Sequence, residues 1–345
     1  MAALSYQQPD LILSKGGNGA TDRQIRDLQR DLRQLGYLKS GIDGQFGDGT
    51  EHAVKALQHD LLNNTGRGND GSASVSVQAH NRGRVTAVTG AVDQALVGCI
   101  SDLLNDAACP RLPSAPDPVA ANQQVAAKIA AMPPTVVPIP FLLGILQQES
   151  GLKHFNQPAG DDEDVYITIG LDTNAAEKHI ITSRGYGAGQ YTLFHHPPTP
   201  AEVNDLMLDP VKNVQKAIGE LKNKFDHFVN GASSDAQADD RVAEQGTGPL
   251  RTCKYTPGDA RYMTDCKQCL LNAGTKDIQS GTTPVYAGAT LTYEPTQYYG
   301  TASYPKVPVR ANIGCDWPYA VRRYNGSGIN SYHYQVRVLL HMLGR

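Results

Sequence analysis

Between Cys109 and Pro118 the chain carries four prolines in ten residues. Proline fixes φ and brings no N–H, so such a stretch is neither a helix interior nor a central strand. It reads as a semi-rigid spacer, and it divides the 345 residues into a shorter first part and a longer second part. Each part must then bury its own core. An apolar fraction of 40% is enough for that. No apolar run reaches the ~18 residues of a membrane helix. Lys plus Arg total 31 against 34 Asp plus Glu, a net charge of −3. That balance argues against a general nucleic-acid binder, which needs a basic surface.

The first part reads as three helices. Thr21-x-x-Gln24 is a capping-box pattern. Ile25, Leu28, Leu32 and Leu35 then recur at helical spacing, and Gly36 closes the helix. Gly41 to Thr50 holds four glycines and predicts tight turns. Ala53, Val54, Leu57 and Leu61 give a second inward stripe, and Val92, Leu96, Cys99, Ile100 and Leu103 a third. Asn63 to Arg84, rich in Gly, Ser and Asn, is expected to be a mobile loop.

The order Leu28-Gln29, Leu32, Leu35-Gly36-Tyr37, then Asp43-Gly44, Phe46-Gly47, Thr50, then Ala53-Val54, Leu57-Gln58 resembles the peptidoglycan-binding domain of cell-wall hydrolases. The resemblance spans about residues 11–105, and the Asn63–Arg84 insertion departs from it. It implies that the loop from Asp43 to Phe46 lines a binding groove, with Tyr37 as a further contact. By themselves these residues read more often as turn or core than as ligand contacts.

In the second part, Leu142, Ile145, Leu146 and Glu149 fall at i, i+3, i+4 and i+7 and share one helix face. A carboxyl at the end of an apolar stripe, in the last helical turn, meets two influences that disfavour its charge: burial and the negative helix end. A carboxyl kept protonated near neutral pH is what a general acid for glycoside cleavage needs. Three blocks follow in order: Glu149-Ser150-Gly151, Ser183-Arg-Gly-Tyr186-Gly-Ala-Gly-Gln190, and Tyr324-Asn325-Gly-Ser-Gly328. Together they resemble the lysozyme-like lytic transglycosylases. The resemblance implies that Glu149 is the acid/base and that Ser183, Tyr186 and Gln190 border the sugar cleft. Tyr324 is implied to hydrogen-bond near the carboxyl, and Asn325 to hold the local turn. Two departures are a glycine at 189, where the family has a bulky residue, and a long stretch between Glu149 and Gln190. That stretch holds the acidic run 161–164 and Asp172, the residue that would serve a hydrolytic muramidase as second carboxylate.

Six cysteines, Cys99, Cys109, Cys253, Cys266, Cys269 and Cys315, form an even set that fits disulfides in an oxidising compartment. Cys99 with Cys109 reads as a local staple. Cys266-x-x-Cys269 with Cys253 and Cys315 leaves a zinc alternative open. Eleven of the sixteen tyrosines lie from Tyr255 onward, consistent with either a cleft extension or a stapled hairpin. No metal or cofactor is expected for the chemistry. The His195-His196 pair precedes two prolines and does not read as a zinc-peptidase ligand set.

The expectation is a mainly helical chain. It comprises a three-helix peptidoglycan-binding domain (1–109), a Pro/Ala-rich linker and connecting helix (110–136), and a lysozyme-like catalytic domain (137–345). The last would hold a Cys/Tyr-rich insertion at about 231–312. The expected activity is cleavage of the β-1,4 bond between N-acetylmuramic acid and N-acetylglucosamine. A hydrolytic muramidase and a non-catalytic wall-binding protein are the alternatives. The N-terminus lacks the pattern of a secretory signal. The expected setting is therefore the periplasm or cell wall, reached as a secreted antibacterial effector or a phage-type lysin. The expected partners are glycan strands and, for an effector, a cognate immunity protein.

Overall fold

The computed structural model describes residues 3–17, 19–115, 117–131, 136–157, 165–227, 251–278, 282–283, 291–292, 304–326 and 329–345. The acidic run 161–164, all of 228–250, most of 279–303 and Gly328 lie outside the described residues. The fold is helix-rich with a few short strands. No helix among the described residues is long and apolar enough to cross a membrane.

The chain forms two compact units. One comprises Met1–Ala126 and Lys153–Asn213, the other Ala127–Leu152 and Val214–Arg345. The proline stretch lies within the first of them. It is not a free spacer. The residues between its prolines hydrogen-bond on both sides. Leu112 N–H donates to Gln34 O (2.9 Å), Ala115 N–H to Val165 O (2.9 Å), and Pro113 O accepts from Ile167 N–H (2.9 Å). Prolines that cannot donate are thus spaced so that their neighbours can.

In the first unit, α1 (Asp22–Gln34), α2 (Asp48–Asn63) and α3 (Gln94–Asn105) surround one core. Thr21 and Gln24 close the capping box that starts α1, and Asp93 caps α3. Buried Gln29 braces the glycine-rich turn. Its amide donates to Asp43 Oδ1 (2.8 Å), Gln45 O and Thr50 Oγ1, and its carbonyl accepts from Gly44 N–H. The 63–84 segment is not the open loop expected. Asn64, Asp70 and Asn81 each accept backbone N–H groups within it, and Val77 and Val85 are buried. A helix α4 (Pro118–Ala130) follows the proline stretch.

A second core in this unit lies under an antiparallel sheet, β1 (Ile169–Thr173), β2 (Ile181–Tyr186) and β3 (Tyr191–Leu193), ordered β1-β2-β3. Asp172 stands opposite Ser183, and Tyr186 opposite both Ile169 and Tyr191. Beyond the sheet come a single turn α6 (Pro200–Glu202), started by the Thr199–Glu202 capping box, and α7 (Pro210–Lys224), whose first N–H groups Asp209 accepts.

In the second unit, α5 (Ile139–Ser150) packs on the C-terminal helix, here α10 (Ile329–Met342). Gly144 permits the close approach. A Cβ there would stand 2.9 Å from Met342 Cγ and 3.0 Å from Val338 Cγ1. Between them in sequence lie α8 (Cys266–Asn272), β4 (Thr275–Ile278), the short pair β5 (Thr282–Thr283) and β6 (Leu291–Thr292), β7 (Tyr304–Pro308) and α9 (Trp317–Tyr324). β4 pairs antiparallel with β7. Trp317 stacks on Phe225 at 4.1 Å and donates to Thr252 O.

Candidate functional site

In the first unit, the end of α1, α2 and the β1–β2 hairpin enclose a recess of about 250 Å³. Ala53, Ala56, Leu171 and Ile181 give it an apolar floor, and Lys39, His52 and Lys178 stand exposed around it. Tyr37 forms part of the wall. Its ring is buried, and its hydroxyl donates to Asp60 (2.9 Å). Asp60 also receives Arg184 (3.2 Å) and Asn64 (3.1 Å). Burial works to raise its pKa, but His59, Arg184 and Asn64 outweigh that and hold the carboxyl well below the usual range. Asp43 and Phe46, expected at the groove, do not line the recess. Asp43 accepts from Gln29 and from Gln45 N–H, and Phe46 packs on the core.

The segment Gly187–Gln190 makes the turn between β2 and β3. Two buried side chains hold it. His154 Nε2 donates to Met207 O (2.7 Å), and Nδ1 accepts Ala188 N–H (3.2 Å). That pairing fixes the neutral ring, and burial pushes its pKa down. Asn213 Oδ1 accepts Gly189 N–H (2.7 Å), and its amide donates to Tyr186 O and Leu206 O. Gln190, at φ 47°, folds its side chain over β1 and β2 and donates to Gly187 O (2.8 Å). Its Oε1 occupies the space above Gly170 and Gly185, where a Cβ would come within 2.4 and 2.8 Å.

Tyr186 lies in the core rather than at an open face. It is fully buried, and its hydroxyl has no hydrogen-bond partner among the described residues. Ser183 donates to Asp172 Oδ2 (2.8 Å), its cross-strand neighbour. Asp172 itself is exposed. His195 bridges Ser72 Oγ (2.8 Å) and Glu202 (3.0 Å), a wholly internal set of partners.

In the second unit, Glu149 occupies the last turn of α5. Gly151, at φ 62°, ends the helix, with its N–H on Gln147 O and Leu152 N–H on Leu146 O. Phe141, Leu142, Ile145 and Leu146 are buried, and Glu149 is half-buried. Tyr334 of α10, 2% exposed, donates its hydroxyl to Glu149 Oε1 at 2.5 Å. Tyr324, at the end of α9, stacks near Tyr334 with ring centroids 6.5 Å apart and planes at 15°. Burial, then the charges of Glu149 and Glu220, push the Tyr324 hydroxyl well up, so it remains a donor. Asn325 is the exposed C-cap of α9. The structure therefore groups Glu149 with Tyr324 and Tyr334, and Ser183 with Asp172. Tyr334 was missed. It lies on a helix buried nearly all round, where no apolar stripe singles out one position. His154 and Asn213 were missed because an isolated polar residue has no periodic signal.

All six cysteines are free in this structure. Cys99 Sγ faces Asn81 O and Arg84, which excludes the Cys99–Cys109 staple in this conformation. Cys253, Cys266, Cys269 and Cys315 line one small pocket with Phe141 and Trp317. No three of these four sulfurs lie within 4.8 Å of one another, as a zinc site there would require. Burial pushes the Cys315 thiol up to about 12 and raises that of Cys266 as well.

The peptidoglycan binding domain family matches residues 21–66, the span of α1, the glycine-rich turn, α2 and the start of the following loop. No curated protein and no solved structure matches the chain.

Proposed function

We propose that the chain associates with peptidoglycan through its first unit and cleaves the glycan strand with Glu149 of its second. The match over 21–66 supports wall association. The recess suits the polymer chemically: exposed lysines can meet the carboxylates of stem peptides, and its apolar floor their methyl groups. The observation that carries the catalytic reading is the Glu149 carboxyl at a helix end, oriented by Tyr334 with Tyr324 beside it. A general acid must first be held in one orientation.

In this reading Glu149 protonates the glycosidic oxygen as the bond to the muramic acid C1 breaks. The resulting carboxylate then takes the proton of the muramic acid 6-hydroxyl, whose oxygen closes a 1,6-anhydro ring. One carboxyl suffices for both steps. Hydrolysis, with water in place of the 6-hydroxyl, is the second reading. The site of action is the periplasm or cell wall, and a cognate immunity protein is the expected partner if the chain is an effector.

The test digests purified peptidoglycan with wild type and Glu149→Gln and weighs the soluble muropeptides. Anhydromuramic ends that vanish in the variant support the proposal. Reducing ends, one water heavier, replace it with a muramidase. No products from either protein, with wall pull-down intact, reduce it to wall binding alone.

A further inference from the structure

Three side chains of the first unit converge with no role in the proposed chemistry: His80, Asp106 and Cys109. His80 ends the 3₁₀ turn Gln78–His80, Asp106 is the C-cap of α3, and Cys109 opens the proline stretch. Their candidate donor atoms all lie within 4.8 Å of one another.

The hydrogen-bond partners of His80 supply an independent observation. Nδ1 lies 3.0 Å from Ser76 O, and Nε2 lies 2.9 Å from Asp106 Oδ2. Both neighbours are acceptors. A neutral imidazole has one N–H to share between them, and with it on Ser76 O the Nε2 lone pair is turned toward Asp106. In that tautomer Nε2, Oδ2 and the Cys109 sulfur present three electron-pair donors within 4.8 Å of one another. Cys109, 2% exposed, brings a buried sulfur to the same point. Asp106 Oδ1 is already fixed by Ala108 N–H (2.8 Å), which leaves Oδ2 as the inward oxygen. An imidazole whose second nitrogen donates to a carbonyl, beside a carboxylate held by a backbone amide, is the arrangement that orients metal ligands.

We propose that His80 Nε2, Asp106 Oδ2 and Cys109 Sγ bind a zinc ion. One nitrogen, one oxygen and one sulfur donor suit zinc and exclude calcium and magnesium, which take oxygen. Three protein ligands leave the fourth tetrahedral position for water. Binding releases the Cys109 thiol proton to solvent. The ion would pin the 63–84 loop and the start of the proline stretch to the end of α3.

The experiment loads the full chain with zinc chloride, removes excess by gel filtration and measures bound metal. In parallel, cobalt(II) reports sulfur ligation by its thiolate charge-transfer absorption. About one equivalent per chain is expected, with the cobalt band abolished in Cys109→Ser and zinc affinity at least tenfold weaker in His80→Gln. Far-UV circular dichroism confirms that each variant folds, and if Cys109→Ser does not, His80→Gln alone decides. Less than a tenth of an equivalent in wild type overturns the proposal. So does metal that persists in both variants, or metal lost on changing Cys266 and Cys269 to serine.

Discussion

Gly187→Ala tests whether the turn that carries Gln190 is held as described. Gly187 sits at φ 71°, a left-handed conformation that costs an L-residue about 1–2 kcal/mol. The added methyl also has nowhere to go. It would stand 2.5 Å from His154 Cε1, 2.6 Å from His154 Nδ1 and 2.9 Å from Asn213 Nδ2. Neither side chain can simply swing aside. His154 is fixed by Met207 O and Ala188 N–H, and Asn213 by three backbone groups. Overpacking of this kind costs about 1–3 kcal/mol. The total is roughly 2–5 kcal/mol. Urea unfolding of the full chain, followed by far-UV circular dichroism and by a probe in the first unit, reads it directly. The first-unit transition should shift and the second-unit transition should not. A loss below about 1 kcal/mol would show that His154 and Asn213 yield easily, and the account of the turn would fail.

Three other perturbations read other parts of the molecule. Tyr334→Phe removes the donor to Glu149 and should slow muropeptide release by roughly 10- to 150-fold, from the about 1.5–3 kcal/mol of a hydrogen bond to a charged group. A rate within twofold of wild type, with Glu149→Gln inactive, would remove Tyr334 from the mechanism. The buried rings of His154 and His196 have pKa values pushed down by burial, whereas the unfolded chain takes up those protons near pH 6.5. Their contribution is therefore present above that pH and lost as pH falls below it. The slope should approach about 1.4 kcal/mol per pH unit for each ring, measured by urea midpoints between pH 7 and 5. Alkylation of the native chain should label half-exposed Cys253 and Cys269 before the four buried thiols, with peptide mass spectrometry as the readout. First labelling at Cys99 would contradict the described burial.

The parts legible in the sequence were those that local chemistry encodes. Thr21 and Gln24 announce a helix start, and Gly36 and Gly151 mark helix ends where φ must be positive. The stripe ending at Glu149 gave both the helix and its buried face. What stayed hidden depends on contacts far apart in the chain. Four prolines in ten residues suggest a spacer, yet Leu112, Pro113 and Ala115 pair with Gln34, Ile167 and Val165, partners that no local pattern names. Asp43 and Phe46 carry turn and groove readings at once, because both draw on the same side chains. Cysteine spacing predicted pairing, but only three-dimensional position shows that Cys99 and Cys109 face different neighbours.

The way the chain passes between its units has a consequence for the order of synthesis. The first unit is complete once residue 213 has emerged, but α5 belongs with residues 214–345. The helix that carries Glu149 is thus made early and must wait. Its tyrosine partner lies 185 residues further on, in the last helix. A nascent or C-terminally trimmed chain would therefore hold a finished first unit and a Glu149 carboxyl without its Tyr334 donor. The fold of the first unit is set first, and the hydrogen bond that orients Glu149 waits for α10.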